Sequence, residues 1–173
     1  MSRYYRSNNS DRLLDTNPNK RPQHNKKEGK PTQDQALTER LSPHKENVEG
    51  AKVPTGSLDI TFYRDDIDDR PKPMPKDTDM PVDISGKTIV LVDDVLFTGR
   101  TVRAAMDALI DFGRPKKIEL AVLIDRGDRE RELPIMANYV GGEWSTDPNE
   151  TVNVYLQESG AEDHVTIEKK EAA

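Results

Sequence analysis

An apolar run that ends in two adjacent carboxylates most constrains what this chain can fold into. Residues 89–92 read Ile-Val-Leu-Val, Asp93 and Asp94 follow, and a turn rich in hydroxyl groups and glycine leads to Thr101. A helical pattern begins directly after this turn. In open α/β sheets, ligands bind beyond the carboxyl ends of the strands, and a helix N-terminus offers free N–H groups to an anion. The run therefore predicts a site whose acids face ribose hydroxyls and whose turn cradles a phosphate.

The neighbouring sequence predicts a β-α-β unit. Residues 87–92 and 118–124 are continuous apolar runs, typical of parallel strands that are buried on both faces. Between them, residues 101–112 have the 3.6-residue period of an amphipathic helix, and Gly113 is suited to end it. Alternating or apolar patterns predict further strands at 58–63, 152–156 and 164–167, the last two as a hairpin.

Composition divides the chain into two parts. Residues 1–50 hold 10 Lys and Arg against 7 Asp and Glu, whereas residues 51–173 hold 16 against 25. Residues 1–47 contain few apolar side chains, so we expect a polar segment that is disordered or degenerate, with one helical turn at most at 38–41. Residues 48–173 are predicted to form the folded domain. Within it, the proline-rich stretch 64–80 is predicted to be a mobile loop or flap.

Several classes of protein are excluded by what the sequence lacks. It has neither a Gly-x-x-x-x-Gly-Lys loop nor a Gly-x-Gly-x-x-Gly turn, which argues against P-loop and dinucleotide sites. The chain has no cysteine, which excludes disulfides and thiolate metal sites. No apolar stretch approaches membrane length, and we expect a cytoplasmic protein.

The stretch from Val92 to Leu109 resembles the phosphoribosyl-pyrophosphate signature of type I phosphoribosyltransferases. Together with residues 120–127 and 132–135, it is similar to a branch that regulates pyrimidine operons and has uracil phosphoribosyltransferase activity. The resemblance covers roughly residues 47–168. It implies an α/β fold with a central, mostly parallel sheet that is flanked by helices and carries a flap.

The resemblance also implies roles for individual residues. Asp93 and Asp94 would be the catalytic acids, accepting hydrogen bonds from the ribose hydroxyls and offsetting positive charge on the sugar as pyrophosphate leaves. Mg²⁺ would be held through the substrate diphosphate rather than by protein ligands. The turn would bind the 5-phosphate, and the remaining contacts would come from flanking residues. The predicted substrate-binding residues are Asp93, Asp94, Val95, Leu96, Phe97, Thr98, Gly99, Arg100, Thr101, Arg126 and the backbone of Val152.

The resemblance implies phosphoribosyl pyrophosphate, uracil and UMP as ligands. Purine-salvage relatives carry an Asp at the position of Phe97, so an aromatic there disfavours a purine. Three functions remain open: the enzyme, a UMP-sensing regulator that binds pyrimidine-operon leader RNA, and a nucleotide-binding pseudoenzyme. Members of the family form dimers and tetramers, so a homo-oligomer is expected. The candidate cations for an RNA face are Arg103, Arg114, Lys116 and Lys117.

The sequence departs from the family pattern in two places. The family begins with a helix, a strand and a pyrophosphate-binding loop of the type Gly-Ile-Lys-Thr-Arg-Gly, and residues 1–50 contain nothing similar. We interpret this segment as a shifted reading frame or a diverged remnant, and we expect weak activity or none. In the loop after Arg126, Asp128 replaces a family histidine and two extra residues precede Leu133. Arg129 and Arg131 of this loop are predicted to be solvated.

Overall fold

The computed structural model describes residues 33–50, 53–65, 78–160 and 162–169. Strands β1, β2 and β3 form a parallel sheet in that order, and β4 and β5 form an antiparallel hairpin. The predicted α/β fold with a parallel sheet flanked by helices is confirmed, whereas most of the predicted flap, residues 66–77, lies outside the described residues. The elements are α1 Gln33–Glu49, β1 Thr88–Leu96, α2 Arg100–Ile110, β2 Lys117–Asp125, β3 Tyr139–Glu143, β4 Glu150–Tyr155 and β5 His164–Lys169.

The β1-α2-β2 unit and the terminal hairpin are confirmed with small changes at their ends. The helix ends at Ile110, and the amide of Gly113 donates to the Ile110 carbonyl at 3.3 Å. β1 is longer than predicted and continues through both acids to Leu96, with Asp93 opposite Val122 of β2. The acid pair is therefore held by strand pairing on β2 and does not belong to the turn.

The prediction for residues 33–47 is wrong, because they belong to the 17-residue helix α1. Ala36 and Leu37 of this helix are buried in a cluster with Ile124 of β2 and with the hairpin residues Val152 and Val154. A narrow buried stripe is enough to hold a polar helix once tertiary contacts support it. Residues 1–32 lie outside the described residues, and the domain division at residue 47 stays a prediction. None of the described helices is long and apolar enough to cross a membrane.

The predicted strand at 58–63 is also wrong. Ser57 makes a single antiparallel bridge to Asp79, and Thr61–Tyr63 form a 3₁₀ turn. The carboxylate of Asp59 accepts hydrogen bonds from the backbone N–H of Thr61 at 2.9 Å and from its hydroxyl at 2.6 Å. Such local side-chain bonds offer the backbone an alternative to a sheet, which explains why an alternating pattern failed to give a strand here.

Strand β3 was not predicted from the sequence. It contains Gly141 and Gly142, which have low strand propensity. The strand is anchored by Asn138, whose backbone N–H donates to the Leu120 carbonyl at 2.8 Å and whose side-chain oxygen accepts from the Leu120 N–H at 2.9 Å. A long-range pair of this kind leaves no periodic signal in the sequence.

Replacing Arg40 of α1 with Met should lower the melting temperature at pH 7 and have less effect at pH 3. The Arg40 guanidinium pairs with Glu158 at 2.5 Å and with Asp163 at 2.7 Å, which ties α1 to the β4–β5 connection. These pairs hold the pKa of both carboxyls below the ordinary values. A lowered folded-state pKa gives stability that is present above the unfolded value and is lost as pH falls.

The measurement is thermal unfolding of both proteins, followed by circular dichroism between pH 3 and pH 7. Arg40→Lys is the matched control for charge, because one ammonium cannot bridge both carboxylates as a guanidinium fork does. A melting-temperature difference that stays constant over this range would rule out the ion pairs as its source.

Candidate active site

A cavity of about 310 Å³ lies where the carboxyl end of β1 passes into α2. Arg64 and Asp65, at the start of the predicted flap, also line it, as does Val102 of α2. Most of the site residues that the sequence predicted therefore lie together in the structure. The predicted residues that line the cavity are Asp93, Val95, Leu96, Phe97, Thr98, Gly99, Arg100 and Thr101.

The turn before α2 has the conformation that an anion site needs. Gly99 has φ 89° and ψ −4°, a left-handed conformation that favours glycine, and it is the N-cap residue of α2. Because glycine has no side chain that can cap the helix, its position leaves first-turn N–H groups of α2 for a ligand. The nearby hydroxyl of Thr98 is 3.4 Å from the Arg100 nitrogen, a long hydrogen bond that a phosphate oxygen could replace.

Three carboxylates meet beside this turn. Asp34, at the start of α1, has a carboxylate oxygen within 4.8 Å of those of Asp93 and Asp94. Burial, with smaller contributions from Asp34 and Asp94, raises the pKa of Asp93 to about 7. Burial also raises the pKa of Asp94. Asp34 was not predicted from the sequence, and only the packing of α1 against β1 brings it here.

Replacing Asp93 with Asn should raise the melting temperature, and the gain should increase between pH 5 and pH 8. A carboxyl whose folded-state pKa is raised contributes stability at low pH that is lost as pH rises through the folded value. Asn removes the buried charge without changing the size of the side chain.

Thermal unfolding of wild type and Asp93→Asn at pH 5, 6, 7 and 8 measures this effect. Asp128→Asn is the control, because it removes an exposed carboxylate. If the two variants differed from wild type by the same amount at every pH, the buried charge of Asp93 would not be the cause.

Ion pairs connect the turn to the start of the predicted flap. Arg100 pairs with Asp65 at 2.7 Å and with Glu132 at 2.6 Å, and Arg103 lies 3.6 Å from Asp65. Next to Asp65, the hydroxyl of Tyr63 donates to the carboxylate of Asp111 at the end of α2. These contacts hold residues 63–65 against α2.

Of the predicted site residues, Asp94, Arg126 and Val152 do not line the cavity. The guanidinium of Arg126 lies over the ring of Phe97, 3.7 Å from its centroid, and its side chain is buried. It donates to the Thr146 hydroxyl at 2.6 Å and to the Glu150 carbonyl at 2.9 Å. Burial lowers the pKa of Arg126. Direct contacts of Arg126 and Val152 with a substrate stay predictions; in this structure Arg126 supports Phe97 from behind.

The prediction that Arg131 is solvated is wrong. Its side chain is 8% exposed and pairs with Asp125 at 2.5 Å. Arg129 is exposed, in agreement with its prediction. Both arginines lie in the same run of charged residues. The sequence therefore contains no local signal that distinguishes the buried arginine from the exposed one.

Comparison with known proteins gives the family. A model of the phosphoribosyl transferase domain matches residues 24–158, a range that starts before residue 47. Bifunctional protein PyrR of Chloroflexus aurantiacus is 56% identical over 132 residues, which cover 76% of this chain and 71% of that protein. Bifunctional protein PyrR of a Thermoanaerobacter species is 55% identical over 78% of this chain and 75% of its own length.

Solved structures include a hypoxanthine-guanine phosphoribosyltransferase from Bacillus anthracis. It is 30% identical over 44% of this chain and 41% of that chain, with a TM-score of 0.36. The sequence matches to the domain model and to the PyrR proteins cover most of the chain. The chain therefore belongs to the phosphoribosyltransferase family, in the branch of the bifunctional PyrR proteins.

Proposed function

We propose that this chain transfers a phosphoribosyl group to uracil and takes part in regulating pyrimidine genes. The observation that carries the proposal is a cavity that Asp93 lines together with the glycine turn at the start of α2. A ribose 5-phosphate requires both features: acceptors for its hydroxyls and N–H donors for its phosphate. The similarity to bifunctional PyrR proteins supports uracil as the acceptor of the ribose.

The reaction breaks the bond between C1 of the ribose and the diphosphate oxygen and forms a bond between C1 and a uracil ring nitrogen. The proton of that nitrogen leaves to solvent. Positive charge develops on the sugar ring as the bond to the diphosphate breaks, and Asp93 and Asp94, whose carboxylates lie within 4.8 Å of each other, would offset it. The N–H groups at the start of α2 fix the phosphate end, so that C1 is oriented before the bond breaks.

The acidic corner of the site would attract a divalent cation that arrives with the substrate diphosphate. Carboxylate oxygens are the ligands that Mg²⁺ prefers, and those of Asp34, Asp93 and Asp94 lie within 4.8 Å of one another. Bound through the diphosphate of the substrate, Mg²⁺ would supply neutralisation of the leaving group's charge. The protein's part is to bind and orient the sugar next to that cation.

Phe97 supports a pyrimidine acceptor. It lines the cavity beside the turn, and the Arg126 guanidinium covers its ring at 3.7 Å. An aromatic side chain cannot exchange a proton with a purine ring, but it offers a flat apolar surface to a small base. We therefore expect uracil to be preferred over hypoxanthine and guanine.

The regulatory function would require a surface for RNA. Arg114, Lys116 and Lys117 line a groove at the amino end of β2, whereas Asp93 of β1 pairs with Val122, nearer the carboxyl end of β2. Lys117 pairs with Glu119 at 2.5 Å, and Arg103 pairs with Asp65 and Asp107, which reduces the positive charge available to RNA. The groove nevertheless concentrates cations on a chain whose net charge is −6.

Two measurements test these functions. Formation of labelled UMP from uracil and phosphoribosyl pyrophosphate, with Mg²⁺, tests the enzyme. A salt-dependent mobility shift of pyrimidine-leader RNA, strengthened by UMP and weakened in Lys116→Gln, tests the regulator. If the chain bound UMP but neither formed UMP nor bound RNA, the pseudoenzyme would be favoured. Failure to bind UMP at all would overturn the proposed site. We also propose that the chain is cytoplasmic and forms a homo-oligomer. Light scattering would check the oligomeric state.

A further inference from the structure

Arg131 is buried, although the sequence predicted a solvated charge at this position. Its side chain is 8% exposed, that of Asp125 is 15% exposed, and the two are joined by a 2.5 Å ion pair. Removing two charges from water is costly, and a buried pair is no better for stability than apolar side chains of the same size. The pair therefore contributes a fixed conformation of the chain around it rather than a gain in stability.

The pair closes the loop of residues 127–135 at both ends. Arg131 donates to the Ile135 carbonyl at 2.9 Å and, over a longer 3.4 Å, to the Gly127 carbonyl. On the other side, the carboxylate of Asp125 accepts from the Gly127 N–H at 2.9 Å. One guanidinium thus fixes where this loop leaves β2 and where it ends.

This loop in turn packs on the phosphate-binding turn. The N–H groups of Glu132 and Leu133 donate to the Thr98 carbonyl at 3.1 and 3.3 Å, and the Glu132 carboxylate accepts from Arg100. Atoms of Leu133 and Ile135 lie 3.4 Å from where a Cβ on Gly99 would stand. The orientation of the peptide groups at residues 98–100 therefore depends on the loop.

We infer that Arg131 is a positioning residue for the 5-phosphate. It holds the 127–135 loop so that the turn presents its N–H groups to the phosphate, although it reaches the cavity only through that loop. The inference rests on the proposed function for the nature of the ligand. The inference predicts a selective effect: the affinity for a nucleotide should depend on Arg131, and the affinity for the same nucleoside without the phosphate should not.

The test compares dissociation constants for UMP and uridine, measured by calorimetry. In the double variant Arg131→Met with Asp125→Asn, which leaves no buried charge unpaired, UMP should bind about 10-fold more weakly and uridine as in wild type. Arg131→Lys should fall between them, because an ammonium can meet Asp125 without holding both carbonyls. Arg129→Met, the same change at an exposed position of the same loop, should bind both ligands as wild type does.

Hydrogen exchange gives a second readout that needs no ligand. Amides of residues 98–102 should exchange faster in the double variant and in Arg131→Lys, with β2 unchanged. Equal UMP-to-uridine ratios in wild type and variants, or unchanged exchange at 98–102, would overturn the inference. If wild type bound neither UMP nor uridine, the proposed function would fail, and the exchange measurement would still decide the role of Arg131.

Discussion

Replacing residues 1–32 with the N-terminal part of the Chloroflexus aurantiacus PyrR protein, joined at Gln33, should raise the rate of UMP formation about 10²–10³-fold. The sequence of residues 1–50 contains nothing like the family's pyrophosphate-binding loop. A carboxylate oxygen of Asp34 lies within 4.8 Å of those of Asp93 and Asp94, so α1 begins beside the proposed site. A loop restored there would be placed where the leaving diphosphate is expected.

The measurement is initial rates of UMP formation at saturating uracil for the parent chain and for the replaced chain. The control is the replaced chain carrying Asp93→Asn and Asp94→Asn, in which the gain should disappear because the ribose acceptors are altered. A parent chain that already turns over as fast as the replaced one would show that the loop is not what limits catalysis.

Replacing Gly99 with Ala should weaken UMP binding about 10-fold or more. At φ 89°, a residue with a Cβ is strained by roughly 1–3 kcal/mol, and the added carbon would stand 3.4 Å from Leu133 and Ile135. Relief of this strain would rotate the peptide groups that are proposed to donate to the phosphate. Calorimetric titration with UMP measures the loss.

Gly86→Ala is a matched control for backbone strain. Gly86 has φ 74°, and no atom lies within 4 Å of an added Cβ. It stands before β1, at the opposite end of that strand from the turn. Both variants should lose a similar amount of stability, but only Gly99→Ala should lose affinity for UMP. Equal affinities in the two variants would mean that the turn does not hold the phosphate.

The sequence was informative wherever a pattern was local and apolar. The β1-α2-β2 unit and the hairpin had continuous strands or a clear helical period, and all of them were predicted. It failed at 58–63, where the carboxylate of Asp59 turns the chain through bonds to Thr61, and at β3, where Gly141 and Gly142 give no strand signal. In both places side-chain hydrogen bonds decided a backbone conformation that propensity and alternation could not predict.

The sequence by itself predicted the centre of the proposed site: the acids Asp93 and Asp94, the glycine turn, and the helix that follows. These residues are adjacent in the chain, and strand, turn and helix each leave a local pattern. Only the tertiary structure decided what surrounds them. Packing of α1 brought Asp34 to the acids, and burial of Arg131 fixed the loop behind Gly99. Contacts between residues distant in sequence depend on how elements pack, and a charged residue has the same appearance in sequence whether it is buried or exposed.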